Sequence, residues 1–84
     1  MNSIHWFPKA ARQLRNLEQH VRTMIVEAVA TLRHMPDCGN VRALSSHAFG
    51  YRLRVENYRV LFDWDDGIRI VEIQEMGKHD ERMD

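Results

Sequence analysis

Apolar residues recur at helical spacing through the first half of the chain and at alternate positions through the second. The change of period falls between residues 37 and 50. From Leu17 to Met35 the apolar side chains are Leu17, Val21, Met24, Ile25, Ala28, Val29, Leu32 and Met35. Steps of three and four place them on one stripe, which predicts an amphipathic helix. Arg33 and His34 fall in its last turn and Pro36 stops it. Upstream, residues 3–7 (SIHWF) read as a short strand ended by Pro8, which suits the first turn of a helix continuing through KAARQLRNL.

Residues 37–50 contain Pro-free but turn-rich sequence, with Asp, Gly, Asn and two serines, and read as a connecting loop. Three strands are predicted beyond it, at 51–55, 58–64 and 68–76, joined by tight turns at Glu56-Asn57 and Asp66-Gly67. Two-residue turns set Val55 opposite Tyr58, Leu53 opposite Val60 and Tyr51 opposite Phe62, then Phe62 opposite Val71 and Val60 opposite Ile73. Tyr51, Leu53, Val55, Tyr58, Val60, Phe62, Val71 and Ile73 then form one face, the natural partner of the helical stripe. The order is β-α-α-β-β-β. It predicts an α+β fold, a single domain over residues 1–84, in which an antiparallel sheet of about four strands carries two N-terminal helices on one face.

The opposite face is less ordinary. The register sets Arg54 directly across from Arg59, with Arg52 two residues along. Like charges facing each other weaken a sheet by about 0.2–1 kcal/mol. Guanidinium groups on a rigid sheet suit a phosphate-rich ligand, because each fork can give two hydrogen bonds to phosphate oxygens. The alternative is a solvated polar face whose arginines pair with Glu72 or Glu75 on the neighbouring strand.

Composition narrows the class. The chain has 84 residues, 44% of them hydrophobic and 29% charged, as expected of one small globular domain. No apolar run approaches the roughly 20 residues that span a bilayer, and the first residues have no apolar signal segment. With a lone cysteine, Cys38, the sequence reads as a cytoplasmic chain. The formal net charge of zero conceals +5 over residues 1–59 and −5 over residues 60–84. Bulk attraction to nucleic acid is not expected, but a local basic patch is. His5, His20, His34 and His47 lack metal-ligand spacing with one another or with Cys38, so no metal site and no cofactor is expected.

The segment YRLRVENYRVLFDWDDGIRIVEIQEMGKHDER resembles the C-terminal half of RelE-type toxins of the RelE/ParE superfamily, the toxin halves of bacterial toxin–antitoxin pairs. The shared pattern is a Tyr-basic-Leu-basic strand, then Tyr-Arg-Val, an acidic-Gly hairpin, an apolar strand and a Gly-Lys-basic close. The opening strand, the helical hairpin ending in MPDC and the loop into the sheet match as well. The resemblance implies a RelE-like, microbial-ribonuclease-type fold. It also implies a metal-independent endonuclease that cuts messenger RNA on the ribosome and is neutralised by a cognate antitoxin. DNA would be met only through that antitoxin, and no membrane is involved.

By the same resemblance, Arg52 and Arg54 occupy the paired basic positions that contact RNA, and Arg59 the arginine that neutralises the scissile phosphate. Lys78 and Arg82 fall in the basic closing motif. His79 stands where many relatives carry arginine and could protonate the leaving oxygen. Asp84 stands where many relatives carry a tyrosine, and Asp80 and Glu81 add negative charge nearby, which implies weakened activity. The alternatives are a gyrase-inhibiting toxin of the ParE branch and a weakened toxin that retains only antitoxin binding.

Overall fold

The structure is a computed structural model and describes residues 1–78. Among these, strand β1 (Ser3–Trp6) leads into helices α1 (Pro8–Arg15) and α2 (Gln19–Ala30). A 3-10 turn follows at Thr31–His34, then strands β2 (Val41–Ala43), β3 (Tyr51–Val55), β4 (Tyr58–Asp65) and β5 (Ile70–Lys78). The strands form one sheet in the order β1-β5-β4-β3-β2. The α+β arrangement expected from the sequence is present, with two differences. β1 lies parallel to β5, so the sheet is mixed, and the expected loop contributes a fifth strand, β2, paired antiparallel with β3. β1 pairs with the strand most distant from it in the chain, which local patterning does not reveal.

The core lies between the helices and one sheet face. Leu53, Val60, Phe62, Val71 and Ile73 are buried as expected, against Ile25, Val29 and Leu32 from the helical side and Ala10 from α1. Tyr51 is half-buried and stacks on Phe62 with ring centroids 5.4 Å apart. Leu17, Val21 and Ala28 are partly buried at the margin of this core.

The β3–β4 hairpin has the expected register, with Val55 opposite Tyr58, Leu53 opposite Val60 and Arg54 opposite Arg59. The β4–β5 hairpin does not. Its connection spans four residues, Asp66–Arg69, because the Asp65 carboxylate accepts the N–H groups of Gly67 (2.9 Å) and Ile68 (3.3 Å) and so winds a longer turn. Phe62 therefore faces Ile73, not Val71. A bulge between Leu61 and Phe62 then shifts the remainder, so that Val60 faces Met76. The two-residue slip keeps Val71 and Ile73 on the core face. The bulge is what brings Met76 inward beside them.

The long helix predicted from Leu17 to Met35 is also shorter than its stripe. It ends at Ala30 and tightens into the 3-10 turn. The Thr31 hydroxyl donates to the Ala28 carbonyl (2.6 Å), and a residue before proline, here Met35, disfavours helical backbone. The carbonyls freed by this ending are taken up by buried Asn2, whose Nδ2 lies 3.1 Å from the carbonyl oxygens of both Arg33 and Met35. Beyond Trp6, the side of β5 away from β4 is covered by α1. Gln13 Oε1 accepts the Met76 N–H at 2.8 Å, which satisfies an otherwise open strand edge.

Candidate nucleic-acid interface

The sheet face turned away from the helices carries the arginines. Strand alternation puts Arg52 and Arg54 outward from β3, alternating with inward Tyr51, Leu53 and Val55, and puts Arg59 and Leu61 outward from β4. β2 adds one that patterning missed: Arg42, directly opposite Arg52. Two like-charged cross-strand pairs, Arg42/Arg52 and Arg54/Arg59, thus lie side by side. Each costs about 0.2–1 kcal/mol in isolation, so this face is not arranged for stability. A three-residue strand is too short to show a period. The only sequence signal for Arg42 was its place between Val41 and Ala43.

Between these strands and the loop of residues 44–50 lies a pocket of about 270 Å³, lined by Arg42, Leu44, His47, Arg52, Arg59 and Leu61 among others. Leu61 is 6% exposed although it points away from the helical side, and it floors the pocket. A second, smaller recess shares Arg59 and Leu61 and extends towards Glu75 and Gly77. Gly77 is the cross-strand partner of Arg59, and a Cβ there would meet nothing within 4 Å. Arg54 is exposed, while Arg52 and Arg59 are half-buried in the face. The carboxylate of Glu75, one of the acids considered as an arginine partner, is bound by Lys9 of α1 at 2.5 Å.

The pocket wall is fixed to the sheet at several points. Leu44 N–H donates to the Gly50 carbonyl (2.8 Å), and Gly50 N–H donates to Asp63 Oδ1 (2.7 Å). Asp63 is itself held, its Oδ2 accepting from Gln74 Nε2 at 3.3 Å. A Cβ on residue 50 would stand 3.3 Å from Asp63 Oδ1, so a larger residue there would require the Asp63 side chain to give by a few tenths of an ångström.

The expected site residues are brought together only in part. Arg52, Arg54 and Arg59 share the face. Lys78 ends β5 opposite Tyr58, on the face of Tyr58 and Met76, because the bulge reverses the alternation before β5 finishes. His79, Arg82 and Asp84, with Asp80 and Glu81, lie outside the described residues. Among the described residues no group of three His, Cys, Asp or Glu could hold a metal ion, and no helix is long and apolar enough to cross a membrane. Cys38 is remote from the face. Burial, and then the neighbouring Asp37, push its thiol pKa up, which keeps it protonated and a poor nucleophile.

Comparison with known proteins places this architecture. Scans against protein-family models and against curated protein sequences return no match. Solved structures do match. The RelBE2 toxin–antitoxin complex of Mycobacterium tuberculosis aligns with a TM-score of 0.79 at 20% identity, over 93% of this chain and 98% of that one. The RelE–RelB complex of Pyrococcus horikoshii aligns with 0.79 at 16%, over 95% and 97%. The isolated E. coli RelE toxin aligns with 0.78 at 17%, over 96% and 87%. A small mixed sheet with an N-terminal helical hairpin on one face is therefore a known toxin architecture. The chain has the RelE fold, as its sequence resemblance implied.

Proposed function

We propose that this chain is the toxin of a toxin–antitoxin pair and that it cuts messenger RNA on the ribosome, acting in the cytoplasm. The observation that carries this reading is the basic outer face, where Arg42, Arg52 and Arg59 line an aliphatic-floored pocket and Arg54 stands opposite Arg59 on the same face. The RelE fold supports it, and so do the complexes with RelB in which relatives of that fold occur.

In the reaction a ribose 2′-oxygen attacks the adjacent phosphorus while the bond to the 5′-oxygen breaks. Negative charge builds on the non-bridging oxygens as the phosphorus becomes five-coordinate. Arg59, in β4 and lining both recesses, is the group best situated to meet that charge, and fixed donors of this kind lower the barrier without reorganising. Arg52, Arg54 and Arg42 hold the flanking phosphates. His79 and Arg82 remain proposed contributors, His79 as the acid for the leaving oxygen and Arg82, with Lys78, as an RNA contact. The cognate antitoxin would neutralise the toxin as a protein partner.

The test is translation on purified ribosomes programmed with a defined message, with new 5′ ends mapped by primer extension. The expected result is cleavage within the codon at the decoding site, abolished by Arg59→Ala. Growth arrest accompanied by intact message would overturn the ribonuclease reading in favour of a binding toxin.

A further inference from the structure

His47 belongs to no metal site and to none of the expected catalytic positions, yet it lines the arginine pocket together with Arg42, Arg52 and Arg59. Its ring is held twice. Nδ1 accepts the backbone N–H of Phe49 at 3.1 Å, and the imidazole leans on the Phe49 ring with centroids 6.1 Å apart. Ser46 just before it has φ 54, a left-handed conformation unusual for a residue with a side chain. The loop that carries it is tied to the sheet through Gly50 and Asp63. His47 is exposed, and these contacts orient its ring beside the pocket.

The Phe49 bond also determines the ring's chemistry. A nitrogen that accepts a hydrogen bond carries no proton, so the neutral ring has its proton on Nε2. The neutral ring thus presents one donor, Nε2–H, in a pocket whose other polar groups are mainly guanidinium ions.

We propose that His47 is a catalytic residue that donates a hydrogen bond from Nε2–H to an RNA phosphodiester oxygen in this pocket, acting as a neutral donor without transferring a proton. The proposal rests on the ribonuclease reading of the same face. It adds to the arginines a contact from the loop side, so that the phosphate is gripped from the sheet and from above.

The experiment compares His47→Ala and His47→Gln in the ribosome cleavage assay. It is joined to nitrogen-resolved NMR of the histidine rings during titration with a 2′-O-methyl RNA trinucleotide, which binds but cannot be cut. Glutamine supplies an amide N–H at similar reach but cannot act as an acid or base near neutral pH. Expected are a loss of about tenfold for His47→Ala, the scale of one hydrogen bond to a charged group, and near-normal cleavage for His47→Gln. His47 should show the Nε2–H tautomer, and its ring signals should move on titration. Both variants being impaired alike would overturn the proposal in favour of proton transfer, and both being fully active would remove His47 from the site. An Nδ1–H tautomer would also overturn it. Should the unmodified chain cut nothing, the ribonuclease reading fails by itself. The titration then decides for His47, since a ring shift and weaker binding by His47→Ala uphold the phosphate contact and their absence refutes it.

Discussion

Arg59 faces Arg54 across the sheet on one side and Gly77 on the other. Its replacement separates function from stability. Arg59→Ala should reduce message cleavage roughly a hundredfold or more, the effect of removing a donor aimed at developing charge at ~3 kcal/mol. Its melting temperature should be unchanged or slightly raised, because a like-charged pair is relieved. A fall in melting temperature equal to that of a core mutation would show that Arg59 is structural. Arg42→Ala tests the residue that patterning missed. Removing one phosphate contact should reduce the slope of log affinity against log salt for single-stranded RNA by about 0.7, and an unchanged slope would place Arg42 off the RNA path. Arg52, Arg54 and Arg59 were legible because five and eight residues of regular alternation leave no doubt about which side each faces. Lys78 was assigned from the resemblance, and its position off that face was not legible because an alternation count cannot anticipate a bulge. His47 was invisible because its meaning lies in a contact across the loop, not in spacing.

Elements here are closed by single polar side chains that link distant segments. Asn2 takes the carbonyls at the end of the 3-10 turn with Nδ2, and its Oδ1 accepts the Trp64 indole N–H at 3.0 Å, which joins the strand β1 region, the helical hairpin and β4. Asn2→Ala should destabilise the fold by about 1–3 kcal/mol, the cost of leaving buried polar groups unsatisfied. A denaturant midpoint equal to that of the unmodified chain would mean that water replaces it freely. Asp63 closes the pocket loop in the same manner. Asp63→Ala should impair cleavage more than it impairs stability, because it frees the Gly50 N–H and with it the loop that carries His47. Cleavage and melting are measured on the same preparation, and intact cleavage would show that the loop does not need this tie. The amphipathic stripe and the β3–β4 hairpin could be read in advance, since burial and turn length are local properties. The end of α2 at Ala30 and the extra length of the Asp66–Arg69 turn could not, because they depend on Asn2 reaching from the chain start and on Asp65 bonding forward.

The described residues measure 34 × 26 × 23 Å, with helices on one face of the sheet and the arginines on the other. Its stability is expected to be on the order of 5–10 kcal/mol, so a ligand on that surface should shift unfolding measurably. The formal net charge is zero. Attraction of a polyanion to the chain as a whole is therefore weak, and any strong response must come from the local array of arginines. A single-stranded RNA oligonucleotide blocked at its 2′ positions should raise the melting temperature at ~50 mM salt and much less at ~200 mM, as counterion release predicts. Arg42→Ala combined with Arg54→Ala should remove most of that shift while leaving the melting temperature without RNA unchanged or slightly higher. These substitutions lower the net charge by only two, yet they remove one member from each of the two like-charged pairs on the face. An RNA-induced shift that survives the double replacement would move the binding surface elsewhere, to the helical side or to Lys9, Arg12 and Arg15 along α1.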